Sequence, residues 1–369
     1  MNILLVQPPF PIPAKSRNHA HFLPIGLLKI GTYHKRAGDK VRLTRALIPS
    51  DISPDRVLVT SLFTYWAGQV QEAAAYYHRT YPSAEIEIGG LYATLMPDHC
   101  RKQSPFARVS PGLYRKGVAE DIPVDYGLLP EALDYQIIHA SRGCARHCAF
   151  CGAWRIEPKF TYKRTILPEI QKPRLVFYDN NLLGSPHIKH ILSELAGFRF
   201  KGGRRVSCES QSGLDLRLLT PDLALMLRNA HFKYPRLAWD GPYSDWPNVR
   251  RAIEMLKEVG YGREDIFVFM LYNHRLSYLE MRRKLDACRR WQVRVIDCRF
   301  RPLDRTEDGY NPRLKHQTAA DYCIYPGWTD RQVRAFRRAV RRQNIAILLE
   351  LPEGRYIPGC ERRKVSFLS

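Results

Sequence analysis

The sequence predicts an α/β fold, in which an N-terminal doubly wound parallel sheet is followed by a partial (β/α)6 barrel. A length of 369 residues suits two domains. Short apolar runs alternate with segments of helical periodicity in both halves, as in parallel sheets. An aperiodic segment at 117–130, rich in Gly, Pro and acidic residues, separates the halves. We therefore predict domains at 1–120 and 130–301, followed by a basic C-terminal segment at 302–369.

Four strands and two helices support the N-terminal sheet. These strands are predicted at residues 3–7, 41–46, 57–63 and 86–89, and the helices at 24–37 and 68–81. Six further strands support the barrel, at 135–140, 175–178, 205–210, 236–239, 266–272 and 293–300. Helical segments between them include 221–230, 249–259 and 278–291. In such folds the chemistry lies at the carboxyl ends of the strands.

The formal net charge of +22 attracts anions, including nucleic acids and phosphorylated metabolites, but it identifies no substrate. The densest run lies between Arg331 and Arg342, where six arginines occur in twelve residues. Val333, Phe336 and Val340 lie between them at helical spacing. A surface helix with a solvated basic face explains this run as well as a nucleic-acid site does, and no readout motif accompanies it. Nucleic acid is therefore an admissible partner that the sequence does not favour.

The sequence contains no secretion leader and no run of about 18 apolar residues, so we expect a cytoplasmic protein without a membrane span. Nine cysteines, an odd number in a long chain, fit a disulfide framework poorly. Three of them cluster. Burial as small apolar side chains accounts for the other six: Cys100, Cys208, Cys288, Cys298, Cys323 and Cys360.

The clustered cysteines lie in the segment HASRGCARHCAFCGAW, directly after the first predicted barrel strand. Cys144, Cys148 and Cys151 form a C-x3-C-x2-C pattern, and three thiolates on one tight loop can converge. Thiolates are the usual ligands of a [4Fe-4S] cluster, which generally takes four cysteines. A cluster on this loop would have one iron without a protein ligand, and an open iron can bind and reduce a small molecule.

Zinc is the competing interpretation of the cysteine pattern, because structural zinc sites also use short spacings and His147 lies inside the motif. A zinc site requires a fourth ligand nearby. The next cysteine, Cys208, is distant in the sequence, and no second C-x2-C pair is present. We therefore favour the iron-sulfur cluster over zinc.

The cysteine spacing, with Phe150 before the third cysteine and Gly152 after it, resembles the radical S-adenosylmethionine (radical SAM) superfamily. The resemblance implies a radical SAM barrel in which S-adenosylmethionine chelates the open iron. One electron then cleaves it to a 5′-deoxyadenosyl radical, which abstracts hydrogen from the substrate. The resemblance further implies that Phe150 supports the adenine and that flavodoxin or ferredoxin donates the electron. Such a radical requires an enclosed cavity, which a capped barrel can supply.

Polar residues after the later strands resemble the S-adenosylmethionine contacts of this family. Asp179, Asn180 and Asn181 follow the second barrel strand, where family members contact the methionine amino group. The resemblance assigns cofactor contacts to four more residues, after the third, fourth and fifth strands: Glu209, Gln211, Asp240 and Asn273. Polar strand ends and helix caps explain each of these residues as well.

The N-terminal domain resembles the Rossmann-like cobalamin (B12)-binding domains that precede many radical SAM barrels, in the phrases ILLVQPPFP, LPIGLLKIGTYHKRAGDKVRL, VLVTSLFTYW and EIEIGGLYATLMPD. In the cobalamin-binding form, a D-x-H-x-x-G motif after the second strand usually supplies a histidine to cobalt. RALIPSDISPDRVLV stands there instead, without a histidine. Gly89, Gly90 and Tyr92 form either a cofactor-lining loop or an ordinary strand-to-helix turn. His19 and His21 are predicted to be loop residues.

The sequence thus predicts a metal-binding radical SAM enzyme with one [4Fe-4S] cluster, acting on an unidentified substrate that the charge suggests is anionic. Cobalamin-dependent methyl transfer is the alternative within the enzyme class. An iron-sulfur protein that binds nucleic acid without catalysis is the alternative from another class. Turnover of S-adenosylmethionine by the reduced protein distinguishes the enzymes from the binding protein.

Overall fold

The computed structural model describes residues 1–12, 22–119 and 121–350, so the predictions for His19, His21 and Cys360 lie outside the described residues. The N-terminal domain is a five-stranded parallel sheet in the order β2-β1-β3-β4-β5. Its strands are β1 (Asn2–Val6), β2 (Lys40–Thr44), β3 (Arg56–Ser61), β4 (Glu85–Gly90) and β5 (Arg108–Val109). All four predicted strands are confirmed to within two residues, whereas the two-residue β5 was not predicted.

The sheet is doubly wound because its strands are apolar on both faces. Its helices are α1 (Ile25–Arg36), α2 (Ala67–Thr80), α3 (Leu91–Leu95) and α4 (Pro97–Gln103). Along β1, Ile3 and Leu5 pack with α1, and Leu4 and Val6 pack with α2 on the opposite face. This use of alternate side chains is the pattern of a strand buried on both faces. Residues 45–55 connect β2 to β3 without a helix.

Gly90 ends β4 with φ +93° and ψ −161°, a conformation that is open almost only to glycine. A Cβ at this position would lie 2.3 Å from the carbonyl oxygen of Ser61. We expect Gly90→Ala to lower the free energy of unfolding by about 2 kcal/mol or more, measured by urea denaturation. Gly68→Ala is the matched control, because nothing lies within 4 Å of its added Cβ. This control is expected to be neutral or stabilising by up to about 1 kcal/mol, and equal losses in the two variants would contradict the prediction.

The second domain is a partial barrel of parallel strands with one antiparallel hairpin inserted near its start. Its strands are β6 (Tyr135–Ile138), β7 (Ser141–Arg142), β8 (Thr161–Tyr162), β9 (Arg174–Phe177), β10 (Ser207–Ser210), β11 (Phe232–Lys233), β12 (Arg236–Ala238), β13 (Phe267–Tyr272) and β14 (Arg294–Arg299). One sheet has the order β11-β10-β9-β6 and the next β12-β13-β14, while β7 and β8 form the hairpin. A parallel bridge between Leu214 and Leu237 joins the two sheets. The six predicted barrel strands are confirmed to within two residues.

The helices of the barrel are α5 (Ala153–Ile156), α6 (Ile188–Gly197), α7 (Pro221–Asn229), α8 (Trp246–Glu258), α9 (Tyr278–Arg290) and α10 (Asp330–Leu348). Short 3-10 turns occur at Thr64–Trp66, Tyr114–Gly117, Tyr126–Leu128, Leu167–Glu169, Leu182–Gly184 and Tyr243–Asp245. The predicted basic run lies on α10, whose Val333, Phe336 and Val340 are buried in the barrel core. The helix therefore belongs to the packing of the barrel, although it lies within the predicted C-terminal segment.

Register divides the barrel side chains into an outer face and an inner face. Residues that pack outward against the helices include Leu175, Phe177, Val268 and Met270. In parallel strands, side chains paired in register share a face, as do alternate residues along each strand. The inner face therefore carries the paired sets Ile137, Val176, Glu209 and Ala238, Phe269, Ile296. Leu271 and Cys298 lie one layer nearer the carboxyl ends. The same alternation, continued just past the strand ends, assigns four more residues to this top inner layer: His139, Tyr178, Gln211 and Asp240.

The two domains meet at the carboxyl ends of their strands. Helix α3, which follows β4, packs against α5, which follows the cysteine segment. The guanidinium carbon of Arg301, just beyond β14, lies 4.9 Å from the ring centroid of Tyr65 in the N-terminal domain. At the predicted linker, Lys35 of α1 forms an ion pair with Asp125 at 2.7 Å.

Among the described helices, none is long and apolar enough to cross a membrane.

Candidate functional site

The three clustered cysteines lie on one partly exposed loop between β7 and α5. Gly143 begins the loop with φ +73°, and a Cβ there would lie 2.3 Å from the carbonyl oxygen of Lys159, so the entrance to the loop requires glycine. The amide of Arg146 donates to Sγ of Cys144, and the amide of Ala153 donates to Sγ of Cys151, each at 3.4 Å. Amide-to-sulfur hydrogen bonds of this kind stabilise thiolate ligands.

The cysteine loop offers the right donors without a preassembled metal centre. Within residues 1–12, 22–119 and 121–350, no three His, Cys, Asp or Glu side chains form a group that could hold a metal ion. Burial raises the pKa of the Cys151 thiol, and the nearby Cys148, Cys144 and Asp240 raise it further. The thiols thus share one loop, and each of two of them accepts a backbone amide. Their chemistry fits an iron-sulfur ligand set, and the three-cysteine assignment stays a prediction.

Asp179 fastens the end of β9 to the start of the cysteine segment. Its side chain is 1% exposed and accepts hydrogen bonds from the amides of Ala140 at 3.2 Å and Ser141 at 2.5 Å. The hydroxyl of Ser141 donates to the same carboxyl group at 2.8 Å. These contacts give Asp179 a positioning role, because backbone and hydroxyl donors surround the carboxyl group. A cofactor contact from Asp179 stays a prediction.

Burial raises the pKa of Asp179 from 3.8 to about 6, so the folded chain binds this proton more tightly than the unfolded chain. The carboxyl group's contribution to the free energy of unfolding is therefore complete below the unfolded pKa and is lost as the pH rises through the folded pKa. We expect the stability of the wild type relative to Asp179→Asn to fall by about 2 kcal/mol between pH 4 and pH 7. Urea denaturation at both pH values measures this difference, and a constant difference would contradict the prediction.

The two asparagines after Asp179 differ in their surroundings. Asn180 is exposed and donates to Oε2 of Glu157 at 3.0 Å, and the same oxygen accepts the amide of Gly143 at 2.7 Å. Glu157 also binds the guanidinium of Arg142, so it joins the asparagine turn to the cysteine loop. Asn181 is 9% exposed, and its buried Oδ1 accepts no hydrogen bond from the described residues. An orphaned acceptor of this kind suits a ligand that carries a hydrogen-bond donor.

Glu209 and Gln211 lie at the end of β10 and directly after it, in successive inner layers of the barrel. The Gln211 amide donates to Oε1 of Glu209 at 3.0 Å. The guanidinium of the buried Arg236 binds the same oxygen, so Glu209 is held by an ion pair. Cofactor contacts from both residues stay predictions.

Asp240 lies two residues beyond β12, in the top inner layer that alternation assigns to it. Water reaches its surface, yet the protein around the carboxyl group raises its pKa by desolvation, against the opposing charges of Lys284 and Arg146. Nζ of Lys284 donates to the carbonyl oxygens of Trp239 at 2.7 Å and Gly241 at 2.9 Å, on either side of Asp240. Lys284 is fully buried on α9 and was not identified from the sequence, because its partners are backbone atoms 43 and 45 residues away.

The structure gives Asn273 a structural role, and a cofactor contact from it stays a prediction. Its side chain is fully buried, Nδ2 donates to the carbonyl oxygen of Cys323 at 2.7 Å, and Oδ1 accepts the amide of Tyr325 at 3.0 Å. Asn273 therefore holds the segment beyond β14 against the end of β13. The neighbouring His274 instead points toward the cysteine loop and meets the ring of Phe150 edge-on, with the centroids 6.0 Å apart.

Sequence reasoning also missed His139 at the end of β6. Alternation with Ile137 places it in the top inner layer, close to the cysteine loop. Burial, together with Arg142, Lys29 and Lys163, lowers the pKa of His139 well below its usual value. The imidazole is therefore neutral around pH 7. The sequence around His139, a histidine one residue beyond a short apolar strand, does not indicate that the side chain is buried beside the cysteine loop.

The N-terminal domain presents aromatic side chains at the carboxyl edge of its sheet. The rings of Phe10 and Trp66 stack with centroids 5.1 Å apart, and those of Phe63 and Tyr65 stack at 4.9 Å. Phe22 meets Phe63 and Trp66 edge-on. No histidine lies between β2 and β3, as noted from the sequence. This edge offers flat apolar surfaces and no imidazole ligand from the β2–β3 connection.

No protein-family model and no curated protein sequence matches the chain. The fold is similar to the structure of the radical S-adenosylmethionine methyltransferase TsrM from Kitasatospora setae, determined with cobalamin and a [4Fe-4S] cluster bound. The TM-score is 0.63 and the sequence identity 14%, over 82% of this chain and 75% of that chain. At an identity this low, the similarity concerns the fold alone. At that level the predicted resemblance is confirmed: the chain has the fold of a radical SAM barrel preceded by a cobalamin-binding-like Rossmann unit.

Proposed function

We propose that the chain is a radical SAM enzyme that cleaves S-adenosylmethionine reductively and acts on a substrate in the barrel mouth. The observation that carries the proposal is the position of Cys144, Cys148 and Cys151, on the loop after the first strand of a barrel of this fold. When bound to these thiolates, a [4Fe-4S] cluster supplies one electron at low potential. The remaining contributions come from side chains around the mouth.

Three side chains are proposed to supply the contacts that orient the cofactor. Asn181 Oδ1 is the buried acceptor left free for the methionine ammonium group of S-adenosylmethionine. Phe150 provides an aromatic face beside the loop for the adenine. Asp240 places an acceptor in the top inner layer, and Lys284 fixes the turn that carries it. The packing of α3 on α5 closes one side of the mouth and helps to exclude water.

The experiment is anaerobic reconstitution with iron and sulfide, reduction with dithionite, and measurement of 5′-deoxyadenosine. We expect Asn181→Ala to lower kcat/KM for S-adenosylmethionine by about 10-fold or more, mainly through KM, because it removes a hydrogen bond to a charged group. Asn229→Ala, at an exposed helix end, is the control and is expected to behave as the wild type. A wild-type protein that binds iron but forms no 5′-deoxyadenosine would contradict the proposed activity and favour an iron-sulfur binding protein.

Cobalamin-dependent methyl transfer is the second candidate, supported by the fold shared with the cobalamin-bound TsrM and by the aromatic edge of the N-terminal sheet. The β2–β3 connection offers no histidine to cobalt, so a bound cobalamin would lack that ligand. Visible absorbance after incubation with hydroxocobalamin tests binding. Formation of S-adenosylhomocysteine together with 5′-deoxyadenosine would favour methyl transfer, and 5′-deoxyadenosine alone would favour the first candidate.

A further inference from the structure

Helices α9 and α10 lie side by side on the outside of the barrel. Both pack on β14 and against each other. The indole nitrogen of Trp328, just before α10, donates to the carbonyl oxygens of His274 at 3.1 Å and Leu276 at 2.9 Å, just before α9. The two helices therefore start together at the rim of the barrel mouth and run in the same direction along its wall.

Exposed arginines line the solvent side of both helices. On α10, Arg331, Arg338 and Arg342 are separated by seven and four residues, which places them in one row along the helix. On α9, Arg283 and Arg290 are separated by seven residues in the same way. We call these five residues, with the adjacent exposed Arg341, the arginine face. Within the described chain, none of the six side chains forms a hydrogen bond or an ion pair.

Acidic side chains on the two helices leave most of this charge uncompensated. Asp330 is engaged by the guanidinium of Arg334 at 2.8 Å and by the hydroxyl of Tyr322 at 3.1 Å. Glu280 accepts the amide of Tyr243 at 2.8 Å, at the mouth end of α9. Asp286, on α9, is the third acidic residue of the two helices and is half-buried. The two helices thus carry six exposed guanidinium groups of the arginine face and three half-buried acids, two of which are engaged by other groups.

We propose that the arginine face binds the phosphate backbone of a nucleic acid. Guanidinium groups form paired hydrogen bonds with phosphate, and the release of condensed cations drives such binding without apolar contact. Protein interfaces instead depend on a buried aromatic or aliphatic centre, and membrane-surface helices on an inserted apolar face. The large exposed apolar side chains here are Leu279 and Leu349, at opposite ends of the two parallel helices. They form no common patch.

The dimensions of the arginine face suit a strand of phosphates. Arg331 and Arg342 are eleven residues apart, which corresponds to about 16 Å along α10. Arg331 lies at the end of the helix that adjoins the barrel mouth, so a strand bound along the face reaches the rim of the candidate active site. The proposal depends on exposed charge alone and is independent of whether the cysteine loop holds a cluster.

The test is fluorescence anisotropy of the full chain with a labelled single-stranded RNA of 20 nucleotides, repeated with a DNA duplex, across a range of salt concentrations. The variant is Arg331→Gln, Arg338→Gln, Arg342→Gln in one chain. The control is Arg36→Gln, Arg79→Gln, Lys102→Gln, which removes the same charge from exposed positions on the N-terminal helices. Thermal unfolding confirms that both variants are folded.

The wild type is expected to bind at low salt, with a log K that falls as log salt rises. In the arginine-face variant this negative slope should become shallower by about two to three units. The control should change the slope by less than about one unit. Equal changes in variant and control would show that overall charge, not this face, is responsible, and would overturn the proposal. Absence of binding would overturn it too, as would equal competition by a polyglutamate peptide of matched charge. The comparison of RNA with duplex DNA identifies which backbone the face prefers.

Discussion

A chain carrying Cys151→Ala is expected to lose its iron-sulfur absorbance and more than about 100-fold of its S-adenosylmethionine cleavage, a larger loss than outer-shell residues usually cause. The reason is the number of ligands. Three thiolates from one loop are the smallest set that holds a [4Fe-4S] cluster with one open iron, so removing one sulfur leaves two irons without protein ligands. Cys144→Ala and Cys148→Ala should give the same result.

The control for this prediction is Cys100→Ala, a buried cysteine of the N-terminal domain that lies far from the loop in sequence. This variant should retain its iron, its absorbance near 400 nm and its rate of 5′-deoxyadenosine formation, at some cost in stability from the cavity. Iron, sulfide and zinc analyses of all four variants complete the measurement. Zinc in place of iron in the anaerobically prepared wild type would contradict the iron-sulfur assignment.

Asn273→Ala is expected to lower the free energy of unfolding by about 2 to 4 kcal/mol, because two partly buried backbone groups lose their hydrogen-bond partners at once. The carbonyl oxygen of Cys323 and the amide of Tyr325 both depend on this side chain. Asn273 also has φ +55°, which asparagine tolerates better than alanine. Release of this clamp should raise amide hydrogen exchange in the segment between β14 and α10.

Comparison with Asn273→Gly separates the two contributions, because glycine tolerates the positive φ but supplies no amide group. Asn273→Gly should recover about 1 kcal/mol of the loss, and the hydrogen exchange should stay high. A cofactor contact would give a different pattern, with a raised KM for S-adenosylmethionine and unchanged stability. That pattern would confirm the cofactor contact predicted from the sequence and contradict the structural role.

Local patterns in the sequence predict most of the secondary structure. The ten predicted strands are confirmed to within two residues, because apolar runs bounded by turn residues are properties of short segments. The cysteine loop was placed correctly for the same reason, since its spacing and the strand before it lie within about twenty residues. The fold comparison then confirmed the predicted fold, whereas the cysteine ligands stay a prediction.

Tertiary structure alone determined which polar residues are available to a ligand. Asp179, Asn181 and Asn273 all follow strands and look alike in the sequence, yet one holds the cysteine segment, one keeps a free buried acceptor and one clamps residues 50 and 52 positions away. Lys284 and the shared surface of α9 and α10 are likewise invisible to local patterns. The physical reason is that a buried polar group forms hydrogen bonds with the groups that tertiary packing places beside it. These partners come from elements far apart in the chain, so the local sequence does not reveal them.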